Sequence, residues 1–316
     1  MKNHLLPEKT QYKANLHCHS TFSDGRFTVE QHKENYLSHG YSIVAYSDHN
    51  RLIPHPELKD ERFLPITSLE IDMTEPFEGS WLNARTYHIN FFCEDENRTE
   101  FIPMDRAYDV GVANDMIKRA HDAGFLAQYN HPRWSLQSSP DYIGLEGLDL
   151  FELFNTGCEL EMANGYGERE FEQMLIAGKY PCPSATDDNH NGCMTLDSPY
   201  CDSFGGFDMI CMDKLEYGEF FKAVRNGDMY ASTGPEILSL YTENGKAYIE
   251  CSPCHTVILR TESRASRPVH SFECDITHAE FDLGFNYDWR FIRFECHDNK
   301  GKAFTRAYLK DEALGE

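Results

Sequence analysis

Long apolar runs, a surplus of positive charge and a paired cysteine framework are what this 316-residue chain lacks. No stretch approaches the ~20 consecutive apolar residues of a membrane helix, so no membrane role is expected. The first eight residues, Met1-Lys2-Asn3-His4-Leu5-Leu6-Pro7-Glu8, carry no apolar run of a secretory signal, and a cytoplasmic location is the expectation. Lys and Arg total 29 against 52 Asp and Glu, a formal charge of −23. That balance argues against a nucleic-acid-binding face, because phosphate backbones are gripped by Lys and Arg. Bound divalent cations could offset part of the excess, although most of it reads as ordinary acidic surface. The 11 cysteines are an odd number in a chain without a signal segment, so reduced thiols are expected. Cys251-Ser252-Pro253-Cys254-His255 resembles half a zinc site, but no second pair follows at suitable spacing. Incidental cysteines in a β-rich segment are the better reading. Internal repeats, low-complexity tracts and long linkers are absent too.

What is present is ample core material, 41% hydrophobic residues, arranged with a clear change of texture. From about residue 14 to 212, strands and helices alternate. Candidate strands are Ala14–His19, Tyr41–Tyr46, Leu64–Leu69, Tyr87–Phe92, Phe125–Tyr129, Leu148–Phe154, Pro181–Ala185 and Phe207–Met212. A helix begins near Thr28, where Thr28-Val29-Glu30-Gln31 fits a capping box, and stops at Gly40. Val112–Ala123, Arg169–Ala177 and Glu216–Arg225 are further helices, each followed by a stopping glycine. Such alternation predicts parallel strands with crossover helices, hence an α/β sheet or barrel. After Ser232-Thr233-Gly234-Pro235 the chain reads as short strands at Leu238–Tyr241, Ala247–Glu250, Thr256–Leu259, Phe272–Asp275 and Phe291–Glu295. Two domains are therefore expected, 1–234 and a small antiparallel β domain over 235–316.

The chemistry-bearing residues recur where these strands end. His17-Cys18-His19 alternates like a strand, so His17 and His19 share a side while Leu16 and Cys18 take the other. Ser23-Asp24-Gly25 reads as a turn that can fold a carboxylate back over the strand end. Asp48-His49-Asn50 follows the second strand, Glu70 closes the third, and His88 lies within the fourth. Asn130-His131-Pro132 ends the fifth, and Asp187-Asp188-Asn189-His190 ends the seventh. Each position alone has a plain alternative. Asp48 and Asn50 could cap the next segment, Glu70 could be a solvated strand end, His88 a hydrogen-bonded core histidine, and His131 part of a strand terminator. In a parallel α/β barrel, however, the strand C-termini share one face. One metal cluster then accounts for all of them together.

These motifs, H-x-H-x4-D-G, S-D-H-N, a glutamate after the third strand, N-H-P and T-D-D-N-H, resemble the polymerase-and-histidinol-phosphatase (PHP) domain over about residues 12–234. Tyr87-His88-Ile89-Asn90, Ala185–His190 and Asn226–Pro235 leading into a β domain are similar to the branch related to carbaryl esterase. The resemblance implies a distorted (β/α)7 TIM-like barrel with a small C-terminal β domain, although eight candidate strands are present against the family's seven. It implies two or three divalent metals, Zn, Mn or Fe, held by His17, His19, Asp24, His49, Glu70, His88, His131, Asp188 and His190. The D-x-H ending selects Asp188 as ligand and leaves Asp187 as a partner behind it.

The chemistry that follows is hydrolysis by a metal-activated hydroxide, with Glu70 shared between two ions. A third ion, Asp48 or His190 would protonate the leaving group. Arg133, two residues after His131, is a candidate phosphate clamp; it could equally pack on Trp134 at the surface. Arg85 is a lesser candidate. A phosphoesterase acting on a small phosphorylated metabolite or nucleotide is the leading expectation. A metal-dependent carboxyl or carbamate esterase or amidohydrolase using the same site is the alternative, and a catalytically silent metal-binding module the third. Substrate, oligomeric state and the role of the β domain are not set by the residues.

Overall fold

The structure, a computed structural model, describes residues 2–103 and 105–316. The chain opens with β1 (Asn3–Leu6), β2 (Thr10–Cys18), α1 (Val29–Ser38), β3 (Ile43–Tyr46), β4 (Leu64–Thr74) and β5 (Thr86–Cys93). It continues through α2 (Val110–Asp122), β6 (Phe125–Tyr129), α3 (Ser139–Tyr142), β7 (Leu150–Asn155), α4 (Thr156–Met162), α5 (Glu168–Ile176) and β8 (Cys182–Thr186). Next come β9 (Phe207–Met212), α6 (Tyr217–Asn226) and β10 (Met229–Ser232). The last stretch holds β11 (Ile237–Glu243), β12 (Lys246–Cys254), β13 (Thr256–Arg260), β14 (Arg267–His270) and β15 (Ile276–Asp282). It closes with β16 (Phe291–His297), β17 (Lys302–Thr305), β18 (Tyr308–Leu309) and α7 (Lys310–Leu314). No helix among the described residues is long and apolar enough to cross a membrane.

Local chemistry starts the helices where the sequence indicates. Thr28 accepts from the Gln31 amide while the Gln31 side chain accepts from the Thr28 amide at 2.9 Å, the reciprocal capping box expected before α1. Asp109 caps α2 by accepting from the amides of Gly111 and Val112, so this helix begins two residues earlier than its apolar period suggests.

The strands form one large mixed sheet of 14 strands and a separate antiparallel sheet in the order β1-β11-β12-β15. Within the large sheet β2, β3 and β4 run parallel, as do β6, β7 and β8. The expectation of uniformly parallel strands needs correction at β5, which is antiparallel to both β4 and β6. Residues 75–85 are too few for a helical crossover, which takes about a dozen or more, so the chain simply turns back. β9 is likewise antiparallel to β2 and β10. β10 also pairs with β17, so the large sheet continues from the first part of the chain into the last. β1 crosses the other way, pairing with β11. The strand expected at Phe272–Asp275 is instead a bend with Phe272 fully exposed; pairing with β12 begins only at Ile276.

The strands that carry the site are buried on both faces. Leu16 and Cys18 pack into apolar clusters, while His17 and His19 lie on the opposite side, each 0% exposed. Asn189, just after β8, makes a parallel bridge to Cys18, which brings the two ends of this run of strands together.

Candidate metal centre

Nine side chains converge, His17, His19, Asp24, His49, Glu70, His88, His131, Asp188 and His190, although Glu70 lies inside β4, which runs on to Thr74, and does not close its strand as expected. They form overlapping groups that share members. His19, Asp24, His49 and His190 make one; His17, His19, Glu70 and Asp188 a second; Glu70, His88 and His131 a third; His17, His131 and Glu152 a fourth. Glu70 is the hub. Its Oε1 lies 3.4 Å from His17 Nε2, 2.9 Å from His88 Nδ1 and 3.4 Å from His131 Nε2. Its Oε2 faces His19 Nε2 at 3.4 Å and His49 Nδ1 at 3.2 Å. Asp188 Oδ1 lies 3.1 Å from His17 Nε2 and 3.0 Å from His19 Nε2. Asp24 Oδ2 faces His49 Nε2 at 3.6 Å and His190 Nε2 at 3.4 Å.

The backbone around these residues is shaped for the purpose. His131 and Asp188 both adopt positive φ, 24° and 49°, and Asn50 beside His49 adopts 60°. Non-glycine residues in such conformations cost on the order of 1–3 kcal/mol each and persist where the surroundings over-determine them. Gly25 answers a different need: a Cβ there would lie 2.2 Å from the His19 carbonyl oxygen. The close approach folds Asp24 over the end of β2 as the turn reading anticipates.

A layer of polar residues fixes the ring. Asn130 donates to Glu70 Oε1 at 2.9 Å, and Asn155 donates to Asp188 Oδ2 at 3.0 Å. Asp187 accepts from the amides of Phe204, Gly205 and Gly206 and from the hydroxyls of Tyr36 and Thr156, anchoring the loop that bears Asp188. Asp48 is not part of the ring. It is 1% exposed and accepts from the Ser20 amide and from the hydroxyls of Ser20 and Ser23, beneath the loop that holds Asp24.

Glu152 is the residue that sequence reasoning missed. Its Oε1 lies 2.8 Å from His17 Nδ1, and its Oε2 accepts from the His131 amide at 2.8 Å. Thr186 and Asn155 donate to the same carboxylate. The available signal was a lone acid inside the otherwise apolar run Leu150–Phe154.

The electrostatics and the spare donor capacity fit divalent cations. Burial pushes the Glu70 carboxyl up, but the imidazoles of His88, His17 and His49 outweigh it and hold it well below the usual carboxylate range. His19 Nδ1 and Glu70 Oε2 are buried without a hydrogen-bond partner, a state that normally costs about 1–3 kcal/mol each. His17 Nε2 and His19 Nε2 meet at 3.1 Å, two ring nitrogens aimed at one point. Imidazole and carboxylate are the donors that Zn, Mn and Fe accept.

No family model matches this chain, and no curated protein matches it. Several solved structures are similar to it, among them the following two. One, from Bacteroides vulgatus ATCC 8482, is named as a two-domain protein containing a "predicted PHP-like metal-dependent phosphoesterase". It is 13% identical with a TM-score of 0.46, over 97% of this chain and 98% of that one. The other, from Bifidobacterium adolescentis ATCC 15703, is named a "putative metal-dependent phosphoesterase". It is 14% identical with a TM-score of 0.39, over 59% of this chain and 89% of that one.

The two arginines singled out as phosphate clamps are engaged elsewhere. Arg133 donates to the Tyr166 carbonyl at 2.9 Å, and Arg85 is paired with Glu75 and Asp141, each at 2.9 Å. Two other arginines stand beside the ring. The Arg26 amide donates to the His190 carbonyl at 2.9 Å, and the Arg51 amide to the Asp48 carbonyl at 3.3 Å. Neither guanidinium has a hydrogen bond or ion pair among the described residues. An aromatic flank completes the surroundings: the Trp134 ring lies 5.1 Å from His131, 5.5 Å from His88 and 6.4 Å from Trp81.

Proposed function

We propose that this chain is a PHP-type metal-dependent phosphoesterase that cleaves a small phosphorylated metabolite or nucleotide in the cytoplasm. On this reading residues 1–234 form a distorted metal-binding barrel and residues 235–316 a smaller β domain. The observation that carries it is Glu70, a buried carboxylate whose two oxygens face two separate sets of imidazoles. One shared carboxylate between neighbouring donor groups is the arrangement of a multi-ion centre.

Two or three divalent cations would be held by the nine ring residues. When bound, they supply Lewis-acid polarisation and neutralise charge on a transferring phosphoryl group. The chain supplies the rest. Asn130, Asn155 and Glu152 orient the ring. Asp48 holds the loop that presents Asp24 and so acts through position. His190 is the most exposed imidazole of the ring at 37%; its Nε2 would be a ligand when three ions are bound and would donate a proton to the leaving oxygen when only two are. Arg26, with Arg51 as a second cation, takes the anion-binding role that the sequence assigned to Arg133 and Arg85.

The aromatic flank supports a second reading. Trp134 and Trp81 offer apolar contact beside His88 and His131, which suits the acyl or aryl part of a carboxyl or carbamate ester. A panel of phosphomonoesters, phosphodiesters and carboxyl esters separates the two. Phosphate release that disappears on chelation and returns with added Zn, Mn or Fe is the expected result. Carboxylic-acid release alone would transfer the assignment to the ester reading, and full activity after exhaustive chelation would remove both.

A further inference from the structure

A second group of ligand-type side chains lies outside the strand-end ring, and it contains no histidine or carboxylate. Cys251 and Cys254 sit at the end of β12, in the four-stranded sheet, and Cys296 sits on β16, in the large sheet. Their sulfurs lie within 4.8 Å of one another. The three residues are 2%, 0% and 0% exposed. The other eight of the 11 cysteines enter no group of three or more ligand atoms among the described residues.

The backbone departs from regularity to make this meeting possible. Residues 251 and 254 are three apart, so an unbroken strand would send them to opposite faces. The β12–β15 ladder instead shifts register between Glu250 and Cys254, and both thiols turn to the same buried side. The three sulfurs are spaced as ligands of one ion would be, and Cys251 Sγ also donates to the Ile276 carbonyl at 3.6 Å. The neighbouring imidazoles do not compete for the spot. His255 is engaged by Thr256 and the Asp298 carbonyl, and His297 by Glu295.

We propose that Cys251, Cys254 and Cys296 form a second, structural cation site for a soft d10 ion of the zinc and cadmium class, tying the two β-sheets together. Zn–S bonds of ~2.3 Å set sulfurs ~4 Å apart, inside the limit observed. Loading exchanges protons for metal: one divalent cation replaces three S–H protons, giving three metal–thiolate bonds and releasing three protons, with no electron transferred. The site is independent of the strand-end ring and of the reaction assigned to it.

Cadmium titration of the full chain, reduced and stripped by chelation, reads this site alone, because the ring has no sulfur ligand. The expected result is a thiolate-to-cadmium charge-transfer absorption whose limiting intensity matches one cadmium per chain on three thiolates, whatever further cadmium the ring takes up, and which zinc abolishes. Cys254→Ser and Cys296→Ser should each lose the band or weaken cadmium binding at least tenfold, while Cys193→Ser keeps it. Should those variants fail to fold, alkylation of the unaltered protein decides: zinc should slow modification of Cys251, Cys254 and Cys296 at least tenfold and leave Cys193 unchanged. Absence of the band, its survival in both variants, or alkylation indifferent to zinc would each overturn the site.

Discussion

In the ring the donors come partly from strands, His17 on β2, Glu70 on β4 and His88 on β5, and partly from the loops after strands, whereas in the β-rich part three thiols arrive from strands of two different sheets. The ring is charged and its backbone is bent at His131, Asp188 and Asn50. It is surrounded by polar support from Asn130, Asn155 and Glu152. The thiol group lies in an apolar cluster with one register shift, where Cys251 Sγ donates to the Ile276 carbonyl. Buried carboxylates and imidazoles need partners at every atom, so a ring made of them demands dedicated architecture. A neutral thiol packs like a small hydrophobe and needs none until a metal draws off its proton.

The comparison breaks most cleanly at Glu70. Glu70→Gln should lower metal content and reduce phosphoester turnover by more than about 100-fold, since removing even a partner behind a ligand costs ~10–100-fold. Metal analysis alongside kcat/KM checks this; retained metal with retained activity would dissolve the shared-carboxylate reading. The counterpart in the β-rich part is Glu295, 1% exposed and bonded to Arg260, Arg293 and His297. Glu295→Gln leaves the buried Arg293 unpaired and should cost about 3–5 kcal/mol of stability, with turnover per folded molecule unchanged. Burial pushes this carboxyl up, but His297 and the two guanidiniums hold it far below the usual range. Its stabilisation is therefore present above the ordinary carboxylate pKa of ~4.3 and is lost as the pH falls below it. Urea melts at pH 7 and pH 3.5 should show the gap between variant and parent narrowing at the lower value.

Glu152→Gln should weaken metal binding by ~10–100-fold, acting through His17 and the His131 amide. The smallest effect sharpens the mouth of the ring. Arg26→Ala should raise KM for a phosphoester about tenfold, near the lower end for a charge-assisted hydrogen bond. Arg133→Ala should leave KM nearly unchanged, its guanidinium being committed to the Tyr166 carbonyl. A larger KM effect at Arg133 would return the clamp to the residue the sequence indicated.

His19, Asp24, His49, His131, Asp188 and His190 were legible because they follow strand ends, which can be read from apolar runs closed by turn residues, whereas Glu70, expected to close its strand, lies inside β4. Gly25 and Asp24 could be read as a turn, although only coordinates show that the glycine is needed for contact with the His19 carbonyl. Glu152 was hidden inside a strand, where a single acid looks like an imperfection in the apolar pattern. Asp48 and Arg133 show the opposite side of the same limit. They neighbour ligands in sequence, but their side chains are bound below and beside the ring. The direction of β5 was illegible because apolar periodicity marks a strand without giving its sense.

By itself the sequence determined the donor types, their order along the chain and their recurrence at strand ends, because these depend on local turns and on side-chain alternation. Tertiary structure alone decided that Glu70 faces two groups of imidazoles and that Cys296 meets Cys251 and Cys254. Those meetings join residues tens of positions apart, and strand register and loop path, which no local pattern encodes, bring them within a few ångströms.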